Sequence, residues 1–517
     1  MRKLSAFTLI LATLLIAGCG GGGGGGDASS PLDEALRYLP ADVPFAVAID
    51  TDTKGEQFQA AEDVAERFPF RDQLEKQLKD LVGDRAGDLQ RYEEALGNEF
   101  VVGSTDARSF VNVPSGKDTN YVGAIQAADE GALADLLKRD KAEEIGEASG
   151  ATLYEDDSGD PFAVEGDVLI VAGSRDELER ALETREGDDS LTEDDFDAGT
   201  QGVPEDALLR VYLDVEELLR ASPEAKQALK SKWVRAVRTA GVGLSFGDNE
   251  LTIDLTVNTE SENLTDEDLP IAPGSDSPQV LDRASDVGAG LRDPAQLLEF
   301  ALATAKSVRP GEFSSFTIAR RQVERQTGVD LDEDVLGQIE GDLALSIDLD
   351  GKFGARAALK DPVKFERTLA KLGKVIPGMV QGLTDQKVGY AKPKAGEDFY
   401  AVATADGART VYGVVDGVFV ISNDPEIAGT LAADRTQSVP DAKGALVVRA
   451  DAEQVVQAIL REVDSEDFKI GDFSIPNSGI ARRIGGAIVT RPLDQLTGSI
   501  ESSTEGLSGS FKVTLDD

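Results

Sequence analysis

Histidine is absent from the 517 residues, and cysteine occurs once. Without imidazole there is no Ser-His-Asp triad, no Cys-His pair and no His-bearing zinc site. Aromatic residues make up 6% of the chain, with Trp233 the one tryptophan, so stacking platforms for sugar rings or bases are few. Basic residues number 52 against 96 acidic ones, a formal charge of −44. A surface so acidic repels phosphate backbones and excludes nucleic acid as a partner. No segment reaches the 18 or so unbroken apolar residues of a spanning helix. There is no Walker loop, no G-x-G-x-x-G ahead of a helix and no Ser-x-x-Lys. The reading therefore assigns no catalytic residue, no cofactor and no metal ligand, and it expects a protein that is not an enzyme.

What is present begins at the N-terminus. Arg2 and Lys3 precede an apolar run from Ala6 to Ala17, a dozen residues suited to a signal-peptide core and too short to span. The run closes on Ile16-Ala17-Gly18-Cys19, which resembles the bacterial lipobox. In lipoproteins with that motif the Cys receives a diacylglyceryl group and becomes the mature N-terminus. The single cysteine of the chain holds that place, so residues 1–18 read as a lipoprotein signal peptide and Cys19 as the lipidation site. Two acyl chains exceed the threshold for durable anchoring. Gly20 to Gly26 continues as an unbroken glycine run, and 19–35 reads as a tether. Its flexible part has a span on the order of 18 Å. The expected location is the extracytoplasmic face of the cell membrane, lipid-anchored in the envelope.

With 41% hydrophobic residues the chain can build real cores. Length suggests about three domains, but internal similarity argues for two units. Ala95 to Asp106 resembles Gln338 to Gly351, and Ala163 to Glu183 resembles Gly413 to Ala433. Ala207 to Ala221 resembles Ala445 to Ile459, and Val242 to Val257 resembles Leu496 to Leu515, all in the same order. The reading is two tandem α+β copies, 36–260 and 281–517, each with a mostly antiparallel sheet, joined by an acidic linker at 261–280. Short apolar strands run into capped helices. The expected caps are Asp50 or Asp52, Asp129, Ser174 and Asp214 in the first copy, and Asp293, Asp361, Asp424 and Asp451 in the second, each worth about 1 kcal/mol. Gly166-Asp167, Asp416-Gly417 and Gly247-Asp248-Asn249 are hairpin signals. A helix after Phe58 would bury Phe58, Ala61, Ala65 and Phe68, and resume beyond Pro69 with Leu74, Leu78 and Leu81.

The lipobox with its glycine tail, LPADVPFAVAID (Leu39 to Asp50) and GDVLIVAGSRDELERAL (Gly166 to Leu182) resemble bacterial envelope proteins grouped as domain of unknown function 3352. The resemblance implies an envelope location and an α+β architecture. It brings no activity and no catalytic residues.

Gly243-Leu244-Ser245-Phe246-Gly247 matches the G-x-S-x-G of esterases, yet its serine would lack a histidine base and lies on an expected hairpin strand. Asp156-Asp157-Ser158-Gly159-Asp160 and Asp348-Leu349-Asp350-Gly351 look like calcium loops without the spacing of an EF-hand. They read as solvated turns that attract divalent cations diffusely. Three functions stay open at this stage. The first is a non-enzymatic binding or scaffolding lipoprotein. The second is a carrier of a lipid or other small apolar ligand. The third, a hydrolase, would need two carboxylates converging in a cleft.

Overall fold

The computed structural model describes residues 30–68, 97–107, 120–139, 142–156, 159–187, 189–222, 225–283, 285–384, 386–393, 398–405, 407–465, 468–470, 473–475 and 491–516. Cys19, the signal segment, the glycine run, Pro69, Leu74, Leu78, Leu81, Asp157 and Ser158 lie outside the described residues.

Twenty strands join in one sheet. The first ten are β1 Phe45–Ile49, β2 Phe100–Ser104, β3 Tyr121–Gln126, β4 Glu143–Ala148, β5 Ala151–Glu155, β6 Pro161–Glu165, β7 Val168–Ala172, β8 Leu209–Asp214, β9 Val237–Gly247 and β10 Glu250–Thr259. The second ten are β11 Val287–Leu291, β12 Ile339–Ile347, β13 Phe353–Leu359, β14 Val388–Ala391, β15 Phe399–Thr404, β16 Arg409–Val415, β17 Val418–Ser422, β18 Leu446–Asp451, β19 Leu493–Ser503 and β20 Gly506–Leu515. Pairing in the first set runs 4-5-6-7-3-2-1-8-9-10. In the second it runs 14-15-16-17-13-12-11-18-19-20, the same order displaced by ten. Every pair is antiparallel, so short turns suffice between most neighbours. The α+β class with a mostly antiparallel sheet is the one expected.

The two sets meet where β10 pairs antiparallel with β20, from Glu250 opposite Thr514 to Asn258 opposite Gly506, with Asp254 facing Ser510 at the centre. The outer edges are β4 and β14. β4 carries Glu143, Glu144 and Glu147 and a bulge between Glu144 and Gly146, devices that discourage further pairing. β14 has only four residues.

Helices close both faces of each half. In the first, Arg175–Glu186 buries Leu178, Ala181 and Leu182 against Val168, Ile170 and Ala172. Glu130–Arg139 buries Leu133 and Leu136 on the opposite side, against Leu169, Phe162 and Ile125. The second half repeats this division. Pro425–Leu431 sets Ile427, Ala428 and Leu431 on Val420 and Val411. Pro362–Leu372 sets Phe365 and Leu369 on Tyr400, Val402 and Tyr412.

Six expected caps are in place. Asp129, Ser174, Asp214, Asp361, Asp424 and Asp451 each accept a first-turn backbone N–H. Two positions differ. Asp50 and Asp52 accept from the N–H groups of Asp52 and Lys54 in successive tight turns, which leaves Gly55 as the N-cap of Glu56–Glu66. Asp293 has φ +44, and a left-handed residue makes no side-chain bond to the first turn of Pro294–Val308. Val64, not Ala65, joins Phe58 on the buried side of Glu56–Glu66.

The stretches read as tether and linker are partly folded. Pro31–Leu36 is a helix, N-capped by Ser30, with Leu32, Ala35 and Leu36 buried. The acidic segment 261–280 packs Leu264, Leu269, Ile271 and Ala272 out of solvent. Its end, Val280–Leu281, pairs with Thr436–Gln437. Composition alone marked that segment as a linker; its few leucines and isoleucine are what hold it down.

Candidate functional site

Ser245 sits inside β9, opposite Thr252. Its hydroxyl is buried and, among the described residues, has no hydrogen-bond partner. The motif's glycine has a packing cause: a Cβ on Gly243 would collide with Val203, which lies over this side of the strand. Asp156 and Asp348 each close a tight turn through a backbone carbonyl that accepts from Gly159 and Gly351. In the first turn the Asp156 carboxylate is also bonded to the Asp160 amide. Among the described residues no cluster of three Cys, His, Asp or Glu is arranged to hold a metal.

The structure brings together two carboxylates that the sequence did not pair. Ile49 faces Phe100 at the end of the β1–β2 ladder, so the next rung sets Asp50 against Glu99. The Asp50 amide donates to the Leu208 carbonyl at 2.9 Å and fixes that rung from the other side. Directly opposed side chains on one face stand about 4.5–5.5 Å apart at Cβ. Both line a cleft of about 160 Å³ with Glu56, Gln57, Glu205 and Arg210. Arg210 is buried and already committed: it donates to Asp197 at 2.7 Å and lies 5.1 Å over the Phe196 ring. Burial raises the Asp50 and Glu99 carboxyls above their ordinary range, and the Asp50 charge pushes Glu99 further the same way.

The same rung in the second half carries opposite charges. Leu291 faces Leu343, so Arg292 stands against Asp342. The Arg292 amide donates to Ala445 at 2.7 Å, as Asp50 does to Leu208. Its guanidinium donates to the Ala272 and Gly274 carbonyls at 3.2 and 3.0 Å and clamps the acidic segment. Glu99 and Asp342 fall together when the repeated stretches are aligned, which is the one sequence signal that points to this rung.

Two clefts are larger, the first of mixed lining and the second mainly polar. One of about 690 Å³ is lined by Tyr38, Asp42, Thr105, Glu177, Arg180 and Asp189. There Glu177 is 3% exposed and accepts from Arg180 at 3.0 Å; burial raises its carboxyl. Another of about 680 Å³, lined by Asp63, Glu66, Arg67, Asn249, Arg491 and Asp516, lies at one end of the β10–β20 seam.

The seam also has an apolar side. Leu251, Ile253, Leu255 and Val257 alternate onto one face of β10. They meet Phe246, Leu244 and Val242 of β9 and Val513, Phe511 and Leu507 of β20. Ile253 and Leu255 stay 36% and 37% exposed at the middle of the twenty strands, where both neighbours are paired.

The carboxylate pair sets a pH dependence. Asp50 and Glu99 bind protons more readily folded than unfolded, so their contribution to stability is largest at acidic pH. It is lost as pH rises from the ordinary values of 3.8 and 4.5 through the raised folded ones. Asp50→Asn and Glu99→Gln remove that cost. Each is expected to raise Tm near neutral pH, with the gain shrinking toward pH values near the ordinary carboxylate range. Calorimetry across that range checks it, and a pH-independent gain contradicts it.

No curated protein matches the chain. Among solved structures, crystal forms III and I of TP0453 are similar at TM-scores of 0.24 and 0.25, with 8% and 10% identity. They cover 45% and 46% of this chain and 82% of theirs. Among the described residues no helix is long and apolar enough to cross a membrane. The model of the family described as protein of unknown function (DUF3352) matches residues 6–377, most of the 517, and the chain belongs to that family.

Proposed function

We propose that this protein is a lipid-anchored, extracytoplasmic binding or scaffolding protein without chemistry of its own, built from two copies of one α+β unit. The lipobox ending in Cys19 supports the anchor. The identical strand order of the two halves supports the duplication. The binding surface is the apolar face of the β10–β20 seam, and its carrying observation is the exposure of Ile253 and Leu255 on a central strand. A seam between copies is also where ligand sites concentrate.

The second reading, a carrier of a lipid or other apolar ligand, rests on the same face. A hydrolase reading rests on Asp50 and Glu99 alone. Their cleft of about 160 Å³ is small beside the 300–1,000 Å³ usual for ligand pockets, which favours binding over hydrolysis.

Cys19→Ala is expected to leave the precursor uncleaved and to abolish labelling by a fatty-acid analogue; retained labelling would overturn the anchor. For the seam, native protein and an Ile253→Gln, Leu255→Gln variant are purified without detergent, cross-linked, and analysed by mass spectrometry for bound lipid and protein. A protein cross-linked to the native chain and lost from the variant supports the binding module. Stoichiometric lipid lost from the variant supports the carrier. Identical profiles for the two chains would overturn the seam as a binding surface.

A further inference from the structure

The helix Pro294–Val308 has fifteen residues, of which only Glu299 and Lys306 are charged, and none of its side chains is buried. A helix apolar on nearly every side normally lies inside a core or against a membrane. Its inward side is fixed by Gln296, whose Nε2 donates to the Asp266 and Leu269 carbonyls at 2.7 and 2.8 Å, and by Phe300, which packs edge-on to Trp233. Leu297 and Leu298 are left 41% and 39% exposed, with Ala301 one turn on also exposed.

The helix that follows, Pro310–Thr327, continues the pattern. Phe316 is 48% and Ile318 60% exposed. Arg321 and Arg325 lie three and seven residues beyond Ile318, on its side of the helix, and make no ion pair among the described residues. Residues 294–327 hold five basic and three acidic side chains, a net charge of +2 in a chain of −44. The rest of the molecule is strongly acidic, while this hairpin combines exposed apolar groups with two exposed arginines, of which Arg325 donates Nε to the Arg321 carbonyl at 3.2 Å.

We propose that the helical hairpin 294–327 rests on the membrane, with Leu297, Leu298, Ala301 and Ile318 at the headgroup boundary and Arg321 and Arg325 on anionic lipid phosphates. Binding of this kind scales with buried apolar area plus attraction to anionic lipid. Charge complementarity favours the lipid over a second copy of the chain, whose −44 would oppose association. The contact rests on the anchoring reading above, which holds the chain at a bilayer surface.

The test uses the full lipidated chain. With the Cys19 sulfur acylated, Ala301→Cys supplies one free thiol for an environment-sensitive fluorophore, and Lys138→Cys supplies a control on a distant exposed helix. Each is bound to phosphatidylcholine vesicles with and without phosphatidylglycerol, and with brominated acyl chains as quencher. The Ala301 label is expected to shift to the blue and be quenched, and the Lys138 label to do neither. Arg321→Gln with Arg325→Gln is expected to halve the quenching or more on phosphatidylglycerol vesicles and to leave phosphatidylcholine vesicles unchanged. Protein that floats with vesicles while its Ala301 label stays unshifted overturns the contact and leaves the anchor standing. Protein that neither floats nor shifts overturns both. A shift that follows protein concentration without lipid overturns the membrane contact in favour of a second copy.

Discussion

The backbone pairing of β10 with β20 is the contact on which the rest of the architecture depends. Each half alone would end on a ten-residue strand with a full row of unpaired amides and carbonyls. Such an edge is an aggregation template, and pairing the two removes both at once. Among the described residues the edges left to this sheet are short, acidic or bulged. The geometry admits little tolerance: at Gly506, with φ +149, a side chain would collide with the Val257 carbonyl. The same pairing sets Leu251, Ile253 and Leu255 beside Val513, Phe511 and Gly509, so the step that joins the halves also creates the apolar surface at their centre.

The shared strand order sets one rung of each half in the same place with different side chains. One rung carries Asp50 against Glu99 in the first half and Arg292 against Asp342 in the second, with each N-terminal partner's amide bonded to the neighbouring strand. The backbone solution is identical while the charges differ. In the second half the cation is consumed in clamping the segment that enters the half. In the first, Pro31–Leu36 covers the sheet with leucines, and the rung is left to two carboxylates raised by burial. Surface charge is divided in a similar way: a strongly acidic body carries one apolar, mildly basic hairpin.

Much of this fold was legible because local chemistry and tertiary structure agree. Asp361-Pro362 and Asp424-Pro425 announce a cap and a first helical residue, and both helices start there. Asp293-Pro294 has the same letters, yet Asp293 turns left-handed and its side chain makes no cap bond. The segment 261–280 read as a linker because acids, Ser and Pro dominate it; that Leu269 and Ile271 bury is a tertiary fact no window of composition contains. The candidate sites were less legible. The Asp50–Glu99 rung joins residues 49 positions apart by register, and register is set by the whole ladder. The exposure of Leu297 and Ile253 is invisible in sequence, since an apolar residue announces burial whether or not anything covers it.

If the seam binds the halves into one cooperative body, its amides open only when the whole molecule unfolds. Hydrogen exchange followed by mass spectrometry on the native chain measures this directly. The account predicts that peptides covering 250–259 and 506–515 are protected as strongly as those covering β1 and β11, and that Gly506→Ala lowers protection in both halves together. Fast exchange at the seam, with each half keeping its own protection when Gly506 is replaced, would contradict it.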